Sequence, residues 1–157
     1  MTPMPSLRDP ETLHPLLQAL WVAFMSRVRA AGLNPVLTFA WRSKLSQDRL
    51  YQIGRRGIPG ERTVTNAAGG HSWHNVERNG QPAALSFDIA LLTDDGKHLL
   101  PDSHIGWMIA AEIGEALGLT CGIRWKMRDA GHYQLDDGGR LTLEDAMAGT
   151  DPAGGVA

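Results

Sequence analysis

Cysteine is nearly absent from this chain of 157 residues: Cys121 stands alone. An internal disulfide is therefore excluded, and so is a closed zinc site built from several cysteines. Long apolar runs are missing too; none approaches the ~20 residues that cross a bilayer as a helix. Charge of one sign is not in excess, since 15 basic residues face 17 acidic ones and leave a formal charge of −2. A general nucleic-acid binder would need a basic stripe, and no nucleic-acid partner is expected. The first residues, Met1 to Ser6, lack a basic region followed by an apolar run, so no signal peptide is expected. Internal repeats are absent. Gly54-Arg55-Arg56-Gly57 is too short for a phosphate loop and lacks its lysine and hydroxyl residue.

What the chain does have is a hydrophobic fraction of 43%, enough for a packed core, at a length that suits one domain. Residues 1–148 are expected to form that domain and 149–157 a flexible C-terminal tail. Leu13, Leu16, Leu17, Leu20, Trp21, Phe24 and Val28 recur at helical spacing and predict a helix over 10–31, capped by Asp9 and stopped by Gly32. Val36 to Trp41 reads as a strand. Ser46 to Ile53 reads as a short helix with Leu50 and Ile53 turned to the core. Residues 54–72 read as an extended loop.

From Ala84 to Leu91 the pattern alternates: Leu85, Phe87, Ile89 and Leu91 point one way, and Ser86 and Asp88 the other. A helix capped by Ser103 is expected to run to Leu117. Two strands, 119–126 and 131–135, follow around a turn, and Thr142 opens a last short helix. The fold class is α+β: a small, mainly antiparallel sheet with the helices at 10–31 and 103–117 covering its apolar face.

Residues with chemistry cluster in two stretches. Gly69-Gly70-His71-Ser72-Trp73-His74-Asn75 leads, after an interruption, to Asp88; further on, Asp129 precedes His132 by three positions. Two histidines, an aspartate and a spare carboxylate are what a catalytic zinc site requires: three protein ligands, an open position for water, and a nearby base.

These residues resemble the M15 family of zinc peptidases, whose members carry Ser-x-His, then Asp, then an acidic residue three before a final His. The similarity to phage and bacterial L-alanyl-D-glutamate endopeptidases extends over residues 36 to 135. Trp41-Arg42-Ser43 resembles a Tyr-Arg-Ser turn. Leu50-Tyr51, Gly54-Arg55 and Pro59-Gly60 resemble a further family segment, and Val64 to Asn75 follows its pattern closely. The spacing from His74 to Asp88 is longer than is usual there. The surplus, Val76 to Ala83, has the composition of an exposed turn, so a longer hairpin is expected with Asp88 still in place. Ser86 stands where the family prefers alanine.

The resemblance implies a hedgehog/DD-peptidase-like fold and one Zn2+ per chain, held by His74, Asp88 and His132. It implies Asp129 as general base. Arg42 is expected to meet charge on the scissile carbonyl or a substrate carboxylate, and Ser72, Trp73 and His71 to touch substrate. His14, His98 and His104 lie outside every motif and are expected to be solvated or satisfied locally. The implied partner is the peptidoglycan stem peptide, cut by a monomer made in the cytoplasm and released to the wall, as phage endolysins are through holin pores. Alternatives are a D-Ala-D-Ala carboxypeptidase or dipeptidase of the same superfamily, and a non-catalytic wall-binding or phage structural module.

Overall fold

A computed structural model describes residues 7–153. The four-stranded sheet has the order β1-β4-β6-β5, with β1 at Asn34–Phe39, β4 at Ser86–Leu92, β5 at Thr120–Cys121 and β6 at His132–Gln134. Every neighbouring pair is antiparallel. A separate hairpin joins β2 (Glu77–Arg78) to β3 (Gln81–Pro82). The result is the expected α+β class.

Alternation along β4 sets the two faces of the sheet. Phe87, Ile89 and Leu91 enter the core, and Ser86 and Asp88 take the opposite side. Helix α1 (Pro15–Ala30) lays Phe24 on the apolar face, its ring 4.6 Å from Tyr133 and 5.3 Å from Phe87. Helix α3 (Gly106–Ala116) packs on the same side, so tightly that a β-carbon at Gly114 would lie 2.6 Å from the Tyr133 ring. The register pairs Asp88 with His132 and Ser86 with Gln134, and Gln134 with Thr120 on β5. One polar row thus lines the face away from the helices.

Several boundaries depart from the sequence reading. The helix expected over 10–31 is broken: Asp9 caps only a 3-10 turn at Pro10–Thr12, and α1 begins at Pro15 behind a His14 cap. Pro15 explains the break, because it lacks an N–H and holds the preceding residue in extended conformation. Leu16, placed on the apolar face, is exposed. Helix α2 spans Lys44–Gln52 with Ser43 as its cap, two residues earlier than expected, and the side chain it buries is Gln47. Leu50 and Ile53 line surface clefts instead of the core. Ser103 caps nothing; α3 starts at Gly106 with no side-chain cap, after a turn in which His104 Nδ1 accepts from the Gly106 amide.

The strand expected over 119–126 ends at Cys121, because the Gly122 carbonyl accepts from both Trp125 and Asp129 and turns the chain out of the sheet. Helix α4 (Leu143–Met147) sits behind Thr142, as read.

The surplus between His74 and Asp88 is the β2–β3 hairpin, closed by Asn79 and Gly80 in the left-handed region (φ 54° and 72°). It grows outward and leaves Asp88 in the sheet. Arg78 ties it to the C-terminal segment, donating to Asp151 Oδ1 at 2.8 Å and to the carbonyls of Ala146 and Thr150. Asp151 also meets His14 Nε2 at 2.9 Å. Of the expected flexible tail, Gly149, Thr150, Asp151 and Ala153 make hydrogen bonds to the rest of the chain, while 154–157 lie outside the described residues. Among the described residues no helix is long and apolar enough to cross a membrane.

Candidate metal centre and cleft

A cleft of about 1110 Å³ opens on the polar face of the sheet, and His71, Ser72, Trp73, His74, Asp88, Asp129 and His132 all line it. His74 arrives on a 3-10 turn, Trp73–Asn75, that hangs on a capping box. Ser72 Oγ accepts from the His74 amide, and Asn75 Oδ1 reaches back to the Ser72 amide. Asn75 also donates to the Arg42 carbonyl, and the Arg42 amide donates to the His74 carbonyl, so turn and Arg42 segment form one unit. Asp88 and His132 come from adjacent strands at one register position.

These three side chains converge. Their ligand atoms lie within 4.8 Å of one another. His74 Nε2 is 3.2 Å from Asp88 Oδ2, and His132 Nδ1 is 2.9 Å from Asp88 Oδ1. Ligand atoms about 2.0–2.1 Å from a tetrahedral zinc stand about 3.3 Å apart, close to the 3.2 Å from His74 Nε2 to Asp88 Oδ2; the His132 contact falls on the other carboxylate oxygen. The donor set also fits: two imidazole nitrogens and one carboxylate, with the cleft on the remaining side. His74 Nδ1 lies 2.7 Å from the Ala40 carbonyl oxygen. That oxygen can only accept, so Nδ1 holds a proton; Nε2, which faces Asp88 Oδ2, is the nitrogen left to give a lone pair to a metal.

Burial by itself would raise the Asp88 carboxyl. The charge of His74 and hydrogen bonds from both histidines outweigh it and hold the group well below the usual carboxylate range. Burial would lower the His132 imidazole, but hydrogen bonding to Asp88 and its charge carry it above its ordinary value of 6.5. Asp129 moves the other way. Burial pushes its carboxyl up and the Asp88 charge adds to that, against the pull of His132 and His74.

Asp129 is placed by backbone contacts. Its amide donates to the Gly122 carbonyl at 2.8 Å, and its carbonyl accepts from the His132 amide at 3.2 Å.

Arg42 is buried, with its guanidinium 4.6 Å from the centre of the Phe39 ring and Nη1 donating to Gln47 Oε1 at 2.8 Å. Among the described residues its Nε has no partner and no carboxylate stands within ion-pair distance. Burial pushes its pKa down, and the charge of Asp88 opposes that shift.

Ser72, Trp73 and His71 all line the cleft, although the Ser72 oxygen is already engaged as the cap of the His74 turn. Trp125 stands over the site, its ring 5.2 Å from His132, and Trp107 is buried in the core. His14 is buried and satisfied at both ring nitrogens; His98 is exposed. Sequence reasoning passed over Gln47, Asn75 and Gln134 as supporting residues. For Gln134 a signal was present, since strand alternation puts it on the same face as His132.

No protein-family model matches the chain. It is 31% identical over 134 residues to the peptidoglycan L-alanyl-D-glutamate endopeptidase CwlK of Bacillus subtilis strain 168, covering 80% of this chain and 75% of that protein. The chain belongs to the M15 family of peptidases.

Proposed function

We propose that this protein is a zinc-dependent endopeptidase that cuts the L-Ala–D-Glu bond of peptidoglycan stem peptides, an activity suited to phage-type lysis or wall remodelling. The observation that carries the reading is the convergence of His74, Asp88 and His132 on the wall of a cleft that Asp129 and Arg42 also line. The named activity of the B. subtilis relative supplies the bond.

His74 Nε2, Asp88 and His132 would hold the zinc, which when bound would supply a Lewis acid and lower the pKa of water at the site to about 7. The chain's own groups do the rest. Asp129 takes the proton from the attacking water and passes it to the leaving amine; a carboxyl raised by burial is suited to both halves of that task. Arg42, with a buried charge and a free Nε, faces the negative charge that develops on the scissile carbonyl or a carboxylate of the substrate. Trp73, His71 and Trp125 line the cleft beside the metal ligands, where they would meet the stem peptide.

Digestion of purified peptidoglycan, followed by mass spectrometry of the new amino termini, tests this. The expected product exposes D-Glu, is lost on chelation and returns with zinc. New termini at D-Ala would make the enzyme a carboxypeptidase or dipeptidase. Intact wall after treatment with the zinc-loaded protein would leave a non-catalytic module.

A further inference from the structure

Behind His132 runs a buried chain of polar groups that ends away from the cleft. His132 Nε2 is 2.9 Å from Gln134 Oε1. Gln134 Nε2 donates to Asp136 Oδ2 at 2.7 Å. Asp136 Oδ1 accepts in turn from Thr120 Oγ1 at 2.7 Å and from the Gly139 amide at 3.1 Å. His132, Gln134 and Asp136 are all buried, so a mispaired group here would cost the full desolvation penalty.

The direction of each bond follows from what each group can do. A carboxylate only accepts, so the nitrogen of the Gln134 amide must face Asp136. Its oxygen is then forced towards His132. An amide oxygen also only accepts, so the proton of the neutral His132 ring must sit on Nε2. Nδ1 lies 2.9 Å from Asp88 Oδ1, which also only accepts, so without a metal both ring nitrogens hold protons; with Nε2 kept protonated by Gln134, Nδ1 is the nitrogen that gives up its proton and turns a lone pair to a metal. His74 is set the opposite way by the Ala40 carbonyl, which keeps a proton on Nδ1 and leaves Nε2 to give the lone pair. The two histidines thus present different nitrogens to the same point.

We propose that Gln134, oriented by Asp136, is a positioning residue that commits His132 to bind the metal through Nδ1. The inference rests on the zinc reading above. It assigns a role to residues outside the set of three metal ligands.

The test measures zinc affinity by competition with a chromophoric chelator, alongside the nitrogen-15 spectrum of the zinc-loaded ring and the thermal melt of the metal-free protein. Gln134→Leu removes the acceptor and should weaken zinc binding by about 10–100-fold, the usual effect of losing a ligand's outer partner. Asp136→Asn should also weaken it, because the amide of Gln134 can then turn its nitrogen towards His132. The double variant Gln134→Glu with Asp136→Asn restores an acceptor to His132 and a donor behind it, and should recover affinity to within a few-fold of wild type. A role in folding alone would lower the melting temperature without this pattern of loss and recovery.

In wild type the spectrum should show His132 protonated at Nε2 and metal-bound at Nδ1. A wild-type protein that binds zinc while Gln134→Leu binds it equally well would overturn this inference alone, as would a metal-bound Nε2 or a double variant no better than Asp136→Asn. A wild-type protein that binds no zinc would overturn the metal reading as well.

Discussion

Gly122 lies so close to Asp129 that a β-carbon added to it would stand 2.5 Å from the Asp129 carbonyl oxygen and 3.0 Å from the Asp129 β-carbon. Glycine is required here by space, since its φ is not in the left-handed region. The contact carries the candidate base: the same Gly122 carbonyl receives the Asp129 amide. Gly122→Ala should therefore push the Asp129 turn outward and lower kcat while zinc, held by residues outside that turn, stays bound. Metal analysis together with kcat checks this. Loss of zinc would show that the turn supports His132 as well, and unchanged kcat would mean that the turn adjusts freely.

Asp129→Asn should retain zinc and fold and lose turnover towards the upper end of the about 10²–10⁴-fold typical of a general acid–base group. A second consequence follows from its raised pKa. A folded carboxyl titrating above its unfolded value contributes stability that is lost as pH rises through the folded pKa, so at neutral pH the ionised group weighs against the fold. The metal-free Asp129→Asn protein should accordingly melt higher than metal-free wild type at pH 7. Wild-type turnover in this variant would remove Asp129 from the mechanism.

Zinc affinity should fall with acid, since metal and protons compete for the same lone pairs. Asp88 carries His132 above 6.5, so the loss should already begin above that pH. In the metal-free protein the sign is reversed. A histidine with a raised folded pKa adds stability that is fully present below its unfolded value and disappears as pH rises through the folded one. Chelator-treated protein should thus melt lower as pH rises through that range, and zinc-loaded protein should not. Parallel melts with and without zinc decide it; identical pH profiles would exclude His132 as the linked group.

Ser86 is fully buried on the polar row, and among the described residues its hydroxyl has no hydrogen-bond partner. Ser86→Ala should raise stability by about 1 kcal/mol, the low end of the cost of an unsatisfied buried polar group. Chemical denaturation measures it. Destabilisation would reveal a partner for the hydroxyl, such as a bound water.

Much of this protein can be read from local chemistry. The alternation at 84–91 placed Asp88 opposite Phe87 and Ile89 because a strand has a period of two whatever it packs against. Resemblance of the two motifs to the M15 pattern picked out His74, Asp88, His132 and Asp129, and turn-forming residues marked the surplus over that pattern as a hairpin. The misreadings came where a local rule met a competing one. Apolar periodicity ran the first helix through Pro15, which cannot continue a helix, and a plausible serine was given the cap of α3.

Other features depend on groups distant in sequence, and only the tertiary structure decided them. The Ala40 carbonyl that orients His74, the pairing of β4 with β6 that brings Asp88 to His132, and the Gly122 contact that holds Asp129 are of this kind. So is the grip of Arg78 and His14 on Asp151, which joins the hairpin and the start of α1 to the C-terminal segment. Residue types and spacing determine which side chains can bind a metal or move a proton. Which nitrogen of each histidine does so depends on hydrogen-bond partners that meet only once the chain has closed.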